Sequence, residues 1–392
     1  MAPPPVLPPV ASVLQHPAYP TAVWNLVPDR KGLAPVAEGR GGPFNISWEI
    51  HGEGPIKMIL IMGLAGFKTA WQRQTLYFGH QNRQQYQVLV CDNRGMGDSD
   101  RPLMRYSSSE MARDLIDVMA HVGWLPSSDQ PAAVAEETLR PPKIVRTIHV
   151  VGISLGGMIA QEMACLIAEH ISSLTLCCTA AAIENTTTYA ENMANRISML
   201  VPKSVDRSVG DTARQIFNHE WLMQPDDVDL PDPATIPKCL APSSSDTYLK
   251  FNTNAERFIA QEMHKRRDKE RFTLKGFLLQ LIAAGWHHKT PQQLADMADR
   301  IGRHRICVMH GTEDKMITVP HGRKLIEYLQ PGLGIIEEGM GHAPLAERWE
   351  WFNRLLAGRI YEGERLDLRG PNFYKQRMAD DERARELSTE DD

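Results

Sequence analysis

Apolar runs with the length of β-strands alternate along the chain with stretches that have helical periodicity. The run at 56–62 (IKMILIM) is almost continuously apolar. Comparable strand-like runs lie at 44–52, 87–92, 144–153, 171–179, 305–311 and 334–338. Strands that are apolar on both faces are typical of parallel sheets covered by helices on both sides. The alternation therefore predicts an α/β protein with a mostly parallel central sheet.

The alternation of strands and helices is interrupted once, at 182–292, where the chain is helix-like and broken by prolines. We expect this segment to be a helical lid inserted into a core formed by residues 44–181 and 293–357. Residues 1–43 are rich in Pro and Gly, which predicts a poorly ordered leader, and 358–392 are expected to form a charged tail.

Composition argues against several classes of partner. The chain carries 43 Lys+Arg and 48 Asp+Glu, and a net charge of −5 gives no electrostatic reason to expect nucleic acid. No apolar run approaches the ~20 residues of a membrane span, and the Pro-rich start is a poor secretory signal, so we expect no stable membrane anchor. The six cysteines are too sparse for a disulfide framework, which favours a cytoplasmic location. The sequence indicates no oligomeric state.

A G-x-S-x-G motif, Gly152-Ile-Ser154-Leu-Gly156, lies where a predicted strand meets a predicted helix. Glycines at these positions permit a tight turn that exposes the serine hydroxyl, and this context predicts that Ser154 is a nucleophile. A Gly-rich packing turn is the alternative interpretation. The N–H of Leu155, at the start of the helix, would then face a developing oxyanion.

A serine nucleophile needs a base and an acid that orients the base. His342 follows the last predicted strand in the loop EGMGHAP, and it is the predicted base. Asp314, in HGTEDK after the preceding strand, is the predicted acid, with its neighbour Glu313 as a rival. The order Ser, Asp, His is that of a hydrolase triad.

A second oxyanion donor is expected after the first long buried strand, in the segment Met62-Gly63-Leu64. The glycine would let the backbone N–H of Leu64 approach the tetrahedral oxygen beside the N–H of Leu155. An ordinary strand-to-helix turn is the alternative.

These motifs together resemble the α/β-hydrolase superfamily of serine hydrolases and esterases, over about residues 44–356. The loop DNRGMGDS at 92–99 is similar to the family's D-x-R-G-x-G-x-S turn, in which the resemblance implies a mainly structural role for Arg94. The elbow GISLGGMIAQ is similar to those of enol-lactonases and methyl esterases. The family places Asp at the elbow of epoxide hydrolases and haloalkane dehalogenases, whereas this chain has Ser154. The resemblance implies the catalytic triad Ser154, Asp314 and His342.

The expected function is hydrolysis of a carboxylic ester, or a close acyl analogue, of a small and largely apolar substrate through an acyl-enzyme. A lactonase, thioesterase, acyltransferase or C–C bond hydrolase would use the same triad, and a silent binding module is a further alternative. No cofactor or metal is expected. Five lid residues are candidates for an apolar acyl pocket, although such residues more often form lid core: Met193, Met199, Met223, Phe251 and Phe258.

Overall fold

The structure, a computed structural model, describes residues 6–126, 146–184 and 203–367, and an eight-stranded sheet lies at their centre. The strands are β1 (Arg30–Val36), β2 (Phe44–His51), β3 (Ile56–Ile61), β4 (Tyr86–Cys91), β5 (Ile148–Ile153), β6 (Ile171–Cys177), β7 (Ile306–Gly311) and β8 (Leu333–Glu337). Their order across the sheet is β1-β2-β4-β3-β5-β6-β7-β8. β2 is antiparallel to β1 and β4, and the other neighbours are parallel. The predicted fold class is confirmed.

Helices cover the sheet and fill the long connection between β6 and β7. The α-helices of the described residues are α1 (Val10–Leu14), α2 (Gln72–Gln74), α3 (Ser108–His121), α4 (Leu155–Leu166), α5 (Val205–Ile216), α6 (His219–Met223), α7 (Asn254–Arg267), α8 (Leu274–Trp286), α9 (Pro291–Ile301), α10 (Val319–Leu329), α11 (Pro344–Glu347) and α12 (Trp349–Leu366). Among the described residues, no helix combines the length and the apolar character needed to cross a bilayer. We refer to α5–α8 and their connections as the cap.

Successive residues of the central strands pack in two separate helical layers. In β3, Ile59 belongs to a core shared with α4, whereas the next residue, Leu60, belongs to a core shared with α12. Because side chains alternate between the faces of a strand, the almost continuous apolar run of β3 buries both faces. Because β3 to β8 run parallel, their carboxyl ends meet at one edge of the sheet, which we call the carboxyl edge.

The expectation of a poorly ordered leader at 1–43 is wrong for the described residues from 6 onward. β1 pairs with β2 along its full length, from Arg30 opposite Ile50 to Val36 opposite Phe44. Pro35 is tolerated because β1 is an edge strand, where a missing N–H need not break a ladder. Earlier in the leader, α1 packs its apolar face against α7.

The predicted start of a charged tail at 358 is also wrong. α12 continues to Leu366, and Ile360 is buried in the same core as Leu60. Gly358 does not end the helix, since an interior glycine costs only about 1 kcal/mol and packing outweighs it. Asp367 then pairs with Arg305 at 2.8 Å. Residues 368–392 lie outside the described residues.

Candidate active site

Ser154 occupies a strained turn between β5 and α4. Its backbone has φ 58° and ψ −125°, a conformation that is rare for a residue with a side chain. Its N–H donates to the carbonyl of Cys177 at 3.0 Å, which ties the turn to the end of β6. Strain of this kind persists only where the surroundings enforce it, and it is concentrated at functional sites.

The glycines around Ser154 are required by close contacts. A Cβ on Gly152 would lie 2.3 Å from the Gly156 carbonyl oxygen, and one on Gly156 would lie 2.1 Å from the Ile61 carbonyl oxygen. A Cβ on Gly157 would lie 2.6 Å from Cβ of Thr179. The turn is thus pressed between β3 and β6, and Ser154 itself remains partly accessible.

His342 and Asp314 form a buried pair at the same edge of the sheet. His342 lies after β8 and Asp314 after β7, and His342 Nδ1 lies 2.7 Å from Asp314 Oδ2. When Nδ1 donates to a carboxylate, the neutral imidazole keeps Nε2 free to accept a proton. This is the tautomer that a general base needs.

Asp314 is held in place by further hydrogen bonds. Its Oδ1 accepts the N–H groups of Met316 and Ile317, each at 2.9 Å, and His310 Nε2 lies 3.2 Å from Oδ2. Burial alone would raise the pKa of Asp314, but the nearby charge of His342 and hydrogen bonds from His310 and His342 hold that pKa at about 2. The carboxylate is therefore ionised at neutral pH.

The rival acid Glu313 faces elsewhere. Its carboxylate lies 3.7 Å from Nζ of Lys315, and its backbone N–H donates to the Met340 carbonyl at 2.9 Å. The structure thus pairs His342 with Asp314 and not with Glu313.

Ser154, Asp314 and His342 follow the carboxyl ends of β5, β7 and β8. Ser154 Oγ makes no hydrogen bond to His342 among the described residues. Such bonds are often long without substrate and tighten in the reacting complex.

The segment after β3 lies directly against the serine. A Cβ on Gly63 would lie 2.8 Å from Ser154 Cβ and 3.3 Å from its Oγ, so only glycine allows this approach. Leu64 follows in the same turn. Leu155 begins α4, where the first N–H groups have no acceptor within the helix. Leu155 follows Ser154 and Leu64 follows Gly63, so both predicted oxyanion donors lie on backbone beside Ser154.

The loop with Arg94 has the structural role that the sequence resemblance implied. Arg94 is fully buried, and its guanidinium binds both oxygens of Asp114 on α3, at 2.5 and 2.6 Å. Asp92 pairs with the buried Lys68 at 2.7 Å. These contacts anchor the loop between strand end and helix.

A second Ser–His–carboxylate chain shows that residue types alone do not make an active site. His149 Nδ1 lies 2.8 Å from Ser173 Oγ, and its Nε2 lies 3.1 Å from Glu364 Oε1. All three residues are buried. Ser173 lies within β6 and not on a strained turn, so its hydroxyl cannot be presented to a substrate. Ser173 and His149 therefore serve as matched controls for Ser154 and His342.

Sequence analysis missed the residues that hold the loop of His342. The His342 N–H donates to the Ile216 carbonyl at the end of α5, at 2.5 Å. The Glu347 carboxylate accepts the N–H of Gly341 at 3.1 Å and that of Asn218, in the cap, at 3.2 Å. The partners are far apart in sequence, so only the proximity of Glu347 to His342 could have drawn attention to it.

Burial raises the pKa of Glu347 to about 7, against the hydrogen bonds from Asn218 and Gly341. In the unfolded chain the pKa of this group is near 4.5. Between pH 4.5 and 7 the folded state therefore keeps Glu347 protonated while the unfolded chain has lost that proton. Folding stability contributed by this group is then present below pH 4.5 and is lost as pH rises through 7.

We expect Glu347→Gln to remove that pH dependence. Between pH 5 and pH 8 the wild type should lose more free energy of unfolding than the variant, measured by urea denaturation. Exposed Glu350 lies on the neighbouring helix, and Glu350→Gln is the control that should keep the wild-type slope. Identical slopes for wild type and Glu347→Gln would contradict the assignment.

One group of three potential metal ligands occurs in the described residues. The ligand atoms of Cys178, Asp314 and His342 lie within 4.8 Å of one another. Two of them already form the hydrogen-bonded pair, and burial raises the pKa of the Cys178 thiol well above its usual range. An ion bound here would have to break the hydrogen bond between His342 and Asp314.

The candidate residues of the acyl pocket lie in different parts of the cap and do not form one pocket wall among the described residues. Phe251 packs with α1 and α7, and Phe258 packs with Phe217 inside the cap, so both contribute to the apolar core of the cap. Met223 is exposed at the end of α6. Met193 and Met199 lie outside the described residues.

Comparisons with known proteins show the family to which the fold belongs. The model of the "Alpha/beta hydrolase family" matches residues 50–355. A curated relative, "Putative carbamate hydrolase RutD" of Azorhizobium caulinodans, is 29% identical over 136 residues, which span 35% of this chain and 42% of that protein.

Two solved structures have the same fold. The enol-lactonase from Burkholderia xenovorans LB400 aligns with a TM-score of 0.55 and 18% identity, over 84% of this chain and 99% of its own. The esterase EaEST from Exiguobacterium antarcticum aligns with a TM-score of 0.57 and 17% identity, over 84% and 99%. With the family model matched from β2 to α12, this chain belongs to the alpha/beta hydrolase family.

Proposed function

We propose that this protein is a serine hydrolase that cleaves a carboxylic ester, or a close acyl analogue, through an acyl-enzyme. The observation that carries the proposal is the placement of Ser154, on a strained turn, at the sheet edge where His342 lies 2.7 Å from Asp314. A hydroxyl, a base and an acid that orients the base are the groups required for nucleophilic acyl transfer.

In the proposed reaction, Ser154 Oγ attacks the ester carbonyl carbon while His342 Nε2 takes the hydroxyl proton. The carbonyl electron pair moves onto oxygen, and the N–H groups of Leu64 and Leu155 bind that oxyanion. The C–O bond to the leaving group breaks, and His342 returns the proton to the departing alcohol. Water then attacks the acyl-enzyme by the same route and releases the acid and free Ser154. Asp314 stabilises the imidazolium throughout.

The substrate class is proposed as small and largely apolar. The net charge of −5 gives no electrostatic reason to expect a polyanion as substrate. Esters are favoured over other acyl compounds by analogy with the fold. A lactone is an internal ester, so lactonase activity follows from the same geometry, as do thioester hydrolysis, acyl transfer and C–C bond hydrolysis. The cytoplasmic location inferred from cysteine usage is likewise a proposal.

Labelling with a fluorophosphonate probe tests the nucleophile. We expect the wild type to take up one probe per chain and Ser154→Ala to take up none, because the probe bonds only to an activated hydroxyl. Ser173→Ala, which alters the buried Ser–His–carboxylate chain, should be labelled like the wild type. Equal labelling of wild type and Ser154→Ala would refute the nucleophile, and an unlabelled wild type would favour a silent binding module.

A panel of p-nitrophenyl esters, lactones and thioesters distinguishes the acyl substrates. We expect esters to give the highest kcat/KM, by analogy with the fold, and an optimum in acyl-chain length would report the size of the acyl pocket. If only lactones or thioesters are cleaved, the triad assignment stands and the ester preference is wrong.

A further inference from the structure

Helix α8 of the cap contacts two loops at the carboxyl edge of the sheet. A Cβ on Gly276 would lie 2.0 Å from the Gly95 carbonyl oxygen, so the helix backbone touches the loop of Arg94 directly. One helical turn later, Gln280 reaches the same region. α8 therefore belongs to the cap and also contacts loops that lie beside Ser154.

Gln280 uses both ends of its amide to join these loops. Its Oε1 accepts the N–H of Ala65 at 2.9 Å, and its Nε2 donates to the Arg94 carbonyl at 3.0 Å. The side chain is fully buried. A buried amide with both hydrogen bonds made fixes the groups it bonds to, because a buried polar group that loses its partner destabilises the fold.

The hydrogen bond to Ala65 acts on the peptide that follows Leu64. Ala65 has φ 60°, a conformation that is costly for alanine and must be enforced by its surroundings. Because Gln280 fixes the N–H of Ala65, it also fixes the plane of the peptide between Leu64 and Ala65. The Leu64 N–H lies in the preceding peptide, whose Gly63 carbonyl accepts the Gly66 N–H at 3.2 Å. Both peptides that flank Leu64 are therefore held by hydrogen bonds.

We propose that Gln280 is a positioning residue that holds the oxyanion loop, residues 62–66, in the geometry for transition-state binding. The inference rests on the proposed function, since it assigns the cap a part in placing the Leu64 donor. It follows that the cap contributes to kcat through α8, and not only to substrate binding.

A merely structural role for Gln280 would lower stability without changing transition-state binding. Gln72 is the matched control because it is a buried amide with the same pattern, accepting the Trp24 N–H at 3.0 Å and donating to the Ala22 carbonyl at 3.2 Å. Its partners belong to the N-terminal segment and not to the oxyanion loop.

The test compares Gln280→Met with Gln72→Met in the full chain, using p-nitrophenyl ester turnover and inhibition by an arylboronic acid. The boronate bonds to Ser154 and places an oxygen where the oxyanion would lie. We expect Gln280→Met to lower kcat and boronate affinity together by roughly 10- to 100-fold, with KM within about threefold of the wild type. Gln72→Met should keep kcat while losing a similar amount of thermal stability.

Hydrogen exchange of the peptide covering 62–66 provides a readout that does not require activity. Exchange should rise in Gln280→Met and stay unchanged in Gln72→Met. If Gln280→Met fails to fold, Gln280→Glu, which keeps an acceptor for the Ala65 N–H, should fold and retain more kcat than Gln280→Ala.

Unchanged kcat and boronate affinity in folded Gln280→Met, or unchanged exchange at 62–66, would overturn the inference. Equal kcat losses in Gln280→Met and Gln72→Met would overturn it as well. A wild type that no fluorophosphonate labels would instead refute the proposed function, and the exchange measurement would still decide whether Gln280 holds the loop.

Discussion

Replacing His342 by alanine is expected to lower kcat for a p-nitrophenyl ester by on the order of 10⁵- to 10⁶-fold. The variant has no group to take the Ser154 proton, and a serine hydroxyl is hardly nucleophilic while it keeps that proton. KM should change little, because the imidazole acts on the reacting proton and not on ground-state binding. Steady-state kinetics with active-site titration would measure the loss.

His149→Ala is the control for His342→Ala. His149 is also buried and also pairs with a carboxylate, Glu364, but it lies near the start of β5, five residues before Ser154. At about 3.3 Å per strand residue this separation is roughly 16 Å. The variant should lose stability and keep its turnover per folded molecule. If His342→Ala retained wild-type kcat, another residue would have to be the base.

The second large effect is expected for Asp314→Asn, with kcat reduced by on the order of 10⁴-fold. The amide would present either an oxygen or an NH₂ group to His342 Nδ1, and it would no longer stabilise an imidazolium. Oδ1 also accepts the Met316 and Ile317 N–H groups, so the amide oxygen should stay there and direct its NH₂ at the imidazole. In that orientation Nδ1 of His342 accepts a hydrogen bond and Nε2 carries the proton. Nε2 then cannot accept the proton of Ser154.

Glu313→Gln decides between the two adjacent acids. In the described residues the Glu313 carboxylate faces Lys315 and forms no hydrogen bond or ion pair with His342. We expect its kcat to stay within about twofold of the wild type, since an exposed pair is worth only ~0–1 kcal/mol. Comparable losses in Glu313→Gln and Asp314→Asn would show that the turn is needed as a unit and that Asp314 is not singled out by its carboxylate.

Sequence patterns were sufficient where a local motif determines the geometry. The near-continuous apolar runs predict strands buried on both faces, and the glycines around Ser154 predict a tight turn. The sequence favours Asp314 as the acid that orients His342 but leaves Glu313 as a rival. The choice between them depends on where the turn directs each carboxylate, which no local motif encodes. Residue types were not sufficient either, since Ser173, His149 and Glu364 satisfy the same chemistry in a buried place.

The failures of sequence analysis share a physical cause, which is that tertiary pairing overrides local composition. Pro35 suggested disorder, yet an edge strand has no ladder partner on one side to lose. The charged composition predicts a tail from 358, yet Ile360 of α12 is buried in the core. Gln280 is 215 residues from Ala65 in sequence, and no short motif encodes such a contact.

The hydrogen bond from the His342 N–H to the Ile216 carbonyl limits the exchange of caps between members of this fold. A chimera that exchanges the cap for that of another hydrolase would remove the carbonyl that accepts the His342 N–H. It would also remove Asn218, whose side chain donates to the Gly339 carbonyl at 2.9 Å. Cap exchange should therefore disturb the base even when every core residue is retained. A transplanted cap would need to bring its own acceptor for the histidine loop.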